Sequence, residues 1–202
     1  MKRSEINQII NDSIAFLESK QFLLPPFAQW TPDDWKARGP ESKGIVDEQL
    51  GWDLTDFGSG DFKAVGLAIF AIRNGLLENY DNGGKVYGEK VLIVQENQVT
   101  PTHYHAFKME DIINRGGGEL CIQLWNTNDD GTLDEEGDVT LSIDSTTTTF
   151  RAGHILKLAA GESVCLPPRL AHMFWGTPDK GTVLVGEVSK INDDHSDNFF
   201  IP

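Results

Sequence analysis

The chain is short of cysteine, of basic residues and of long apolar runs, and each shortage removes a class of protein. Cys121 and Cys165 are the only cysteines in 202 residues. Two are too few for a disulfide framework, and they do not form the Cys-x-x-Cys pair of a redox or zinc motif. Both fall in apolar, strand-like stretches and are expected to be buried, reduced and inert. Met1-Lys2-Arg3-Ser4 leads into a polar helical stretch rather than an apolar core, so no secretory leader is expected and a cytoplasmic protein is. No apolar stretch approaches the length of a membrane span. Lysine and arginine total 17 against 31 aspartates and glutamates, a net charge of −14. That balance argues against nucleic acid and against a membrane surface as partner, because both are bound through basic patches. Acidity on this scale serves solubility.

Apolar residues are present in ordinary measure, 39% of the chain with five Trp and eleven Phe. This is enough to build one core, so the expected organisation is a single domain with an N-terminal appendage. We place the appendage, a helix and a wrapping segment, at residues 1–43 and the main domain at residues 44–202. Ile6, Ile9, Ile10, Ile14 and Leu17 keep a helical stripe from Ser4 to about Lys20, with Ser4 as the N-cap and Pro25-Pro26 as the stop. Trp30 to Pro40 reads as a loop or short helix in which Trp30 and Trp35 act as packing anchors. Beyond Gly44 the pattern changes to short strands: Phe62 to Arg73, Tyr87 to Gln95, Leu120 to Trp125, Val139 to Ile143, Thr146 to Arg151, His154 to Leu158, Ser163 to Leu166 and Gly181 to Val188. Many short strands at fairly even spacing indicate a sandwich or barrel. Asp144-Ser145 has the composition of a tight hairpin turn.

Two attractive motifs fail their tests. Asn126-Thr127-Asn128-Asp129-Asp130-Gly131 begins like a calcium loop, but Gly137 stands where a bidentate glutamate is needed and flanking helices are absent. Gly116-Gly117-Gly118 lacks the strand-to-helix setting of a nucleotide loop and is read as a turn that needs positive φ.

The histidines carry the chemistry. His103-Tyr104-His105 alternates on a strand, so both rings leave the same face. Glu110 follows after a short bend, and His172 lies behind Gly161 and Pro167-Pro168. Three imidazoles and one carboxylate suit a divalent transition metal and leave coordination positions open. The metal ligands are therefore read as His103, His105, Glu110 and His172, while His154 and His195 are read as structural or surface groups.

These two segments resemble the paired motifs of the cupin barrel, which implies a mainly β, jelly-roll type barrel here. Gly117 falls on the last glycine of the first motif, and Asn97 stands where its first glycine is expected. In the second motif Arg169 replaces the middle glycine and Gly176 the final asparagine. Further stretches, Gly51 to Phe62, Lys90 to Pro101, Lys108 to Gly118 and Gly186-Glu187-Val188-Ser189, resemble the D-lyxose isomerase family over most of the chain after about residue 44. Ala106 departs from the bulkier residue expected after the second histidine.

The resemblance implies a metal-dependent aldose–ketose isomerase that interconverts D-lyxose and D-xylulose, and also D-mannose and D-fructose, with manganese as the expected ion and a homodimer as the expected assembly. Such a reaction moves a proton between C1 and C2 through an enediol and needs a carboxylate to carry it. Glu187 is the candidate, in an apolar strand run where partial burial would raise its pKa; pairing with a nearby cation is the competing reading. Lys108 and Lys90 are candidate polar supports, the first with its backbone near the ion even should its side chain face solvent. Arg169 is a candidate to hold sugar hydroxyls or a carboxylate partner, and Asp194, with Asp193, to close the pocket. The fold alone defines no function. An iron-dependent oxygenase and a non-catalytic sugar-binding cupin therefore stand as alternatives, the first distinguished by its need for oxygen and the second by indifference to the loss of Glu187.

Overall fold

The computed structural model describes residues 1–201. Helix α1 (Arg3–Ser19) starts one residue earlier than its composition indicates, because Glu5 reaches back and accepts the Lys2 N–H at 2.6 Å. That is the carboxylate half of a capping box, and it places Ser4 inside the first turn rather than at the cap. The helix also ends before the prolines: Gln21 takes φ +59° and breaks the spiral. Helices α2 (Pro32–Arg38) and α3 (Lys43–Asp47) are short. Trp30 and Trp35 meet edge to face at 5.0 Å, and the Arg38 guanidinium lies 4.9 Å over Trp30, so the two indoles pack as anchors. No described helix is long and apolar enough to cross a membrane.

The rest is strand. In chain order these are β1 (Gly51–Thr55), β2 (Leu67–Arg73), β3 (Tyr87–Val94), β4 (Thr100–Tyr104), β5 (Glu110–Gly117), β6 (Leu120–Thr127) and β7 (Leu133–Asp134). There follow β8 (Asp138–Ile143), β9 (Thr146–Arg151), β10 (His154–Leu158), β11 (Ser163–Leu166), β12 (Leu170–Gly176), β13 (Val183–Lys190) and β14 (Phe199–Phe200). They form an eight-stranded sheet, β1-β2-β3-β13-β5-β11-β8-β9, facing a six-stranded sheet built on β10-β6-β12-β4-β14, with β7 on β6. This is the expected jelly-roll barrel. β2 begins later than the apolar run Phe62 to Arg73 suggests, because Asp61 and its neighbours form a turn that brings the Val65 N–H to the Asp61 carbonyl at 2.9 Å.

Between the sheets lies a core that includes Leu92, Ile112, Leu124, Leu166 and Phe174. A second cluster joins Leu17 of α1 to Phe70, Val91 and Ile93 on the other face of β2 and β3. These strands are covered on both faces, which is why they read as continuous apolar runs instead of alternating. Cys121 is buried as expected, whereas Cys165 is only partly covered; burial and the neighbouring Asp111 carboxylate push its thiol up to about 11, which keeps it protonated.

Turn chemistry follows the backbone closely. Asp144 and Ser145 both take positive φ, as a type I′ hairpin requires. Asn97 and Arg169, at the two positions where cupin motifs carry glycine, have φ +59° and +66°. The left-handed conformation is thus retained without the residue that adopts it most easily. Gly176 needs to be small, since a Cβ there would sit 2.6 Å from the Gln95 carbonyl oxygen.

Gly117 combines both demands, with φ +95° and a would-be Cβ 2.1 Å from the Thr182 carbonyl oxygen. Gly117→Ala is expected to lower unfolding free energy by about 2–4 kcal/mol. Gly116→Ala, with φ +138° and open space around it, should cost only the backbone strain, about 1 kcal/mol. Denaturant midpoints of the two variants check the difference, and equal losses would contradict it.

Candidate active site and metal centre

The polar residues gather at one end of the space between the sheets, in a cavity of about 390 Å³. β4 and β12 are hydrogen-bonded neighbours with His172 directly opposite His103. His105 lies just past the end of β4, yet its ring still turns inward. Glu110 opens β5 on the facing sheet, and Glu187 on β13 pairs across to Lys90 on β3. The elements thus deliver the histidines from one sheet and the carboxylates from the other.

Each ring is oriented by a backbone carbonyl. His103 Nδ1 meets the Pro101 oxygen at 2.8 Å, His105 Nδ1 the Asp197 oxygen at 2.8 Å and His172 Nδ1 the Leu170 oxygen at 3.1 Å. A carbonyl only accepts, so each Nδ1 carries the hydrogen and each Nε2 is left with its lone pair. One ring nitrogen from each histidine lies within 4.8 Å of the other two. Glu110 Oε1 is 3.5 Å from His105 Nε2 and 3.3 Å from His172 Nε2. His172 Nε2 is buried without a hydrogen-bond partner among the described residues. Acceptors converge on acceptors with no hydrogen between them, an arrangement that costs free energy unless a cation occupies the common point. Neutral imidazoles with one carboxylate fit a divalent ion. Burial, with the neighbouring rings of His172 and His105, holds His103 well below the usual imidazole range, so it is neutral and ready to ligate.

Lys108 is not at the surface. Its buried ammonium lies 2.7 Å from Glu110 Oε2, 2.9 Å from Glu187 Oε1 and 3.2 Å from Asn192 Oδ1. Burial alone would lower its pKa, but the two carboxylates outweigh that and hold it above the usual lysine range. Burial likewise opposes the charge on Glu110, and the Lys108 ammonium reverses the effect, keeping this carboxyl well below its ordinary value. Glu187 is buried, as expected, but Lys108 pairs with it, so the environment foreseen from burial alone was incomplete.

Lys90 and Asp194 also line the cavity and meet at 3.3 Å. Burial would raise Asp194, but Lys90 holds it low; Asp53, beside them, is pushed up by burial and by the Asp194 charge. Asp53, Asn192 and Asp197 are site residues that motif reading missed. Only strand pairing reveals Asp53, which lies across from Ile69 and so beside Leu92 on the inner face. Asp193 makes turn bonds to the His195 and Ser196 N–H groups. Arg169 is a correction: its guanidinium binds the Asn128 carbonyl and lies over Tyr104, away from the residues that line the cavity. Its positive φ and the inward-facing His105 carbonyl, which accepts the Arg169 N–H at 2.6 Å, commit the backbone to the site and the side chain to the rim.

Fold and site together define a cupin-type barrel with a buried three-histidine, one-carboxylate centre. Residues 1–202 match the D-lyxose isomerase family, and the chain belongs to it. It is 45% identical over 202 residues to the D-lyxose/D-mannose isomerase of Escherichia coli O157:H7, covering all of this chain and 88% of the relative. The protein of the same description from Serratia proteamaculans is also 45% identical, over 207 residues, with the same coverage. The L-ribose isomerase of Cellulomonas parahominis shares the fold, with a TM-score of 0.65 at 15% identity over 100% of this chain and 93% of that one.

Because His103 stays neutral in the fold while the unfolded chain takes up a proton there near pH 6.5, acid favours the unfolded state. The metal-free protein should show no contribution from this group above about pH 6.5. Below it, stability should fall by about 1.4 kcal/mol per pH unit until the lowered folded value is reached. Unfolding midpoints that stay flat from pH 7 to pH 5.5 would contradict this.

Proposed function

We propose that the protein is a metal-dependent aldose–ketose isomerase acting on D-lyxose and D-mannose, with Glu187 as the proton carrier. The observation that carries the reading is the chain Glu110–Lys108–Glu187, which ties the converging histidines to a second carboxylate facing the same cavity. The family and the names of its relatives supply the sugar class. His103, His105, Glu110 and His172 are the residues that would hold the ion, and we assign manganese to a site of mixed nitrogen and oxygen donors. When bound, a divalent ion supplies Lewis acidity at the O1 and O2 oxygens of an open-chain sugar.

The remaining work falls to side chains of this chain. Glu187 takes the proton from C2 of the aldose, the O2 hydroxyl proton passes to O1 through the enediol, and Glu187 returns its proton to C1. In the reverse direction it takes the proton from C1 of the ketose. Lys108 holds the Glu187 carboxylate in place and balances its charge in a site removed from water. Asp53, Lys90 and Asp194 bind the hydroxyls at the far end of the sugar. Ile69, Leu92 and Phe174 supply apolar wall that limits access of solvent to the transferred proton. The lining carries four carboxylates, Asp53, Glu110, Glu187 and Asp194, against two ammonium groups, Lys90 and Lys108. That balance favours a neutral sugar over a phosphorylated one. A homodimer in a reducing, cytoplasmic setting completes the proposal, supported by the exposed apolar side chains of Phe107, Met109 and Val188 and by two unpaired cysteines.

Glu187→Gln keeps the size of the side chain and cannot accept a proton from carbon. It is expected to lower kcat on D-lyxose and D-mannose by about 10²–10⁴-fold with ion content unchanged. Turnover, metal content and sugar affinity are measured on one purified preparation. A variant that retains more than about a tenth of wild-type kcat passes the role to another group.

A further inference from the structure

One of the three histidines is oriented by a segment remote in sequence. The stretch from Asn192 to Ile201 crosses the site. β14 pairs with β4, placing Phe200 opposite His103, and Phe199 stacks on Tyr104 at 5.1 Å. The Ile201 N–H binds the Thr102 carbonyl at 2.9 Å. At the other end Asn74 and Asn192 bond each other's polar groups: the Asn192 N–H binds Asn74 Oδ1 and the Asn74 amide binds the Asn192 carbonyl. Between these anchors sits Asp197, which is buried. Its backbone carbonyl accepts His105 Nδ1 at 2.8 Å. Its two carboxylate oxygens accept successive backbone N–H groups, Oδ1 from Phe107 and Oδ2 from Lys108, each at 2.8 Å.

The residue therefore holds His105 and the middle of the short irregular link that leads from it to Glu110. Charge-assisted bonds from two consecutive amides fix that loop in rotation as well as position. The Lys108 backbone, once fixed, aims its ammonium between Glu110 and Glu187. We propose that Asp197 is a positioning residue of the metal centre, setting the His105 ring and the Lys108 loop before any ion arrives. It touches neither the ion nor the sugar in this role. The proposal rests on the metal reading given above.

The test uses full-length metal-free protein titrated with Mn²⁺ alone and, separately, with Co²⁺ followed by its visible absorption. Loss of a group that orients a ligand typically costs 10–100-fold in metal affinity. Asp197→Ala leaves the backbone carbonyl on His105 Nδ1 and removes the carboxylate that holds the Phe107 and Lys108 N–H groups; freeing that link is expected to weaken Mn²⁺ binding within that range and to shift the Co²⁺ bands. Asp197→Asn keeps one acceptor and loses the other, and is expected at the lower end, about tenfold. It carries the test alone should the alanine variant fail to fold. The Co²⁺ spectrum reports ligand geometry, which a residue that only stabilises the fold would leave as it is. Mn²⁺ affinity within threefold of wild type and an unchanged Co²⁺ spectrum overturn the proposal, whatever the unfolding midpoint does. Wild-type protein that binds neither ion overturns the metal reading and this inference together.

Discussion

A buried ammonium between two buried carboxylates governs the centre of this barrel. Lys108 would not remain charged in apolar surroundings alone, and neither Glu110 nor Glu187 would remain there unpaired. Removing one partner of such a group typically costs about 3–5 kcal/mol, because the charge left behind has lost its compensation. The three side chains thus stabilise one another's burial, and the strands β5 and β13 that carry the carboxylates are adjacent in the large sheet. A polar group this committed needs a rigid frame, and β3 and β13 supply it, with Leu92 and Val185 in the core between the sheets and Val91 and Leu184 in the cluster on the other face.

The same triad links the histidine centre to the rest of the cavity. Glu110 offers one oxygen to Lys108 and the other to the converging imidazoles. Its two halves therefore answer to different demands, and a change at either is felt at the other through a single rigid carboxylate. Lys108 extends the link to Glu187, while Asn192 holds the ammonium from the C-terminal side. The geometry is over-determined at Lys108, which is held by more than one neighbour.

Much of this was legible in the residues and much was not, for identifiable physical reasons. That His103, His105, Glu110 and His172 gather could be read from motif spacing, which reports local backbone: His103 on β4, His105 just past its end, Glu110 at the start of β5 and His172 on β12. The barrel was visible because short strands and turn residues recur. The direction of the Lys108 side chain does not follow from its local sequence, because it depends on Glu187, which comes from another strand far along the chain. Asp53 and Asp197 carry no local signature: one is placed by strand pairing and the other by a C-terminal segment folding back over β4. Arg169 misled for the opposite reason. Its backbone lies beside the site in sequence and in space, but a positive φ turns the side chain outward to Asn128 and Tyr104.

The charge balance of the cavity ties the two ends of the site together. At the histidine end, Glu110 and Glu187 against Lys108 leave one negative charge in excess; at the far end, Asp53 and Asp194 against Lys90 leave another. Low-polarity walls strengthen both fields relative to water. An excess of this sign favours a cation at the point where three histidine nitrogens converge, and a divalent ion there would bring the whole lining to neutrality. On the proposed reading a neutral polyhydroxyl chain would enter without changing the balance, whereas a phosphate group would restore the deficit and lose its own hydration. The carboxylates at the far end are thus not redundant with hydrogen-bonding amides that would have served the same hydroxyls. On that reading Asp53 and Asp194 would select by charge as well as by shape, at a distance from the atoms that react.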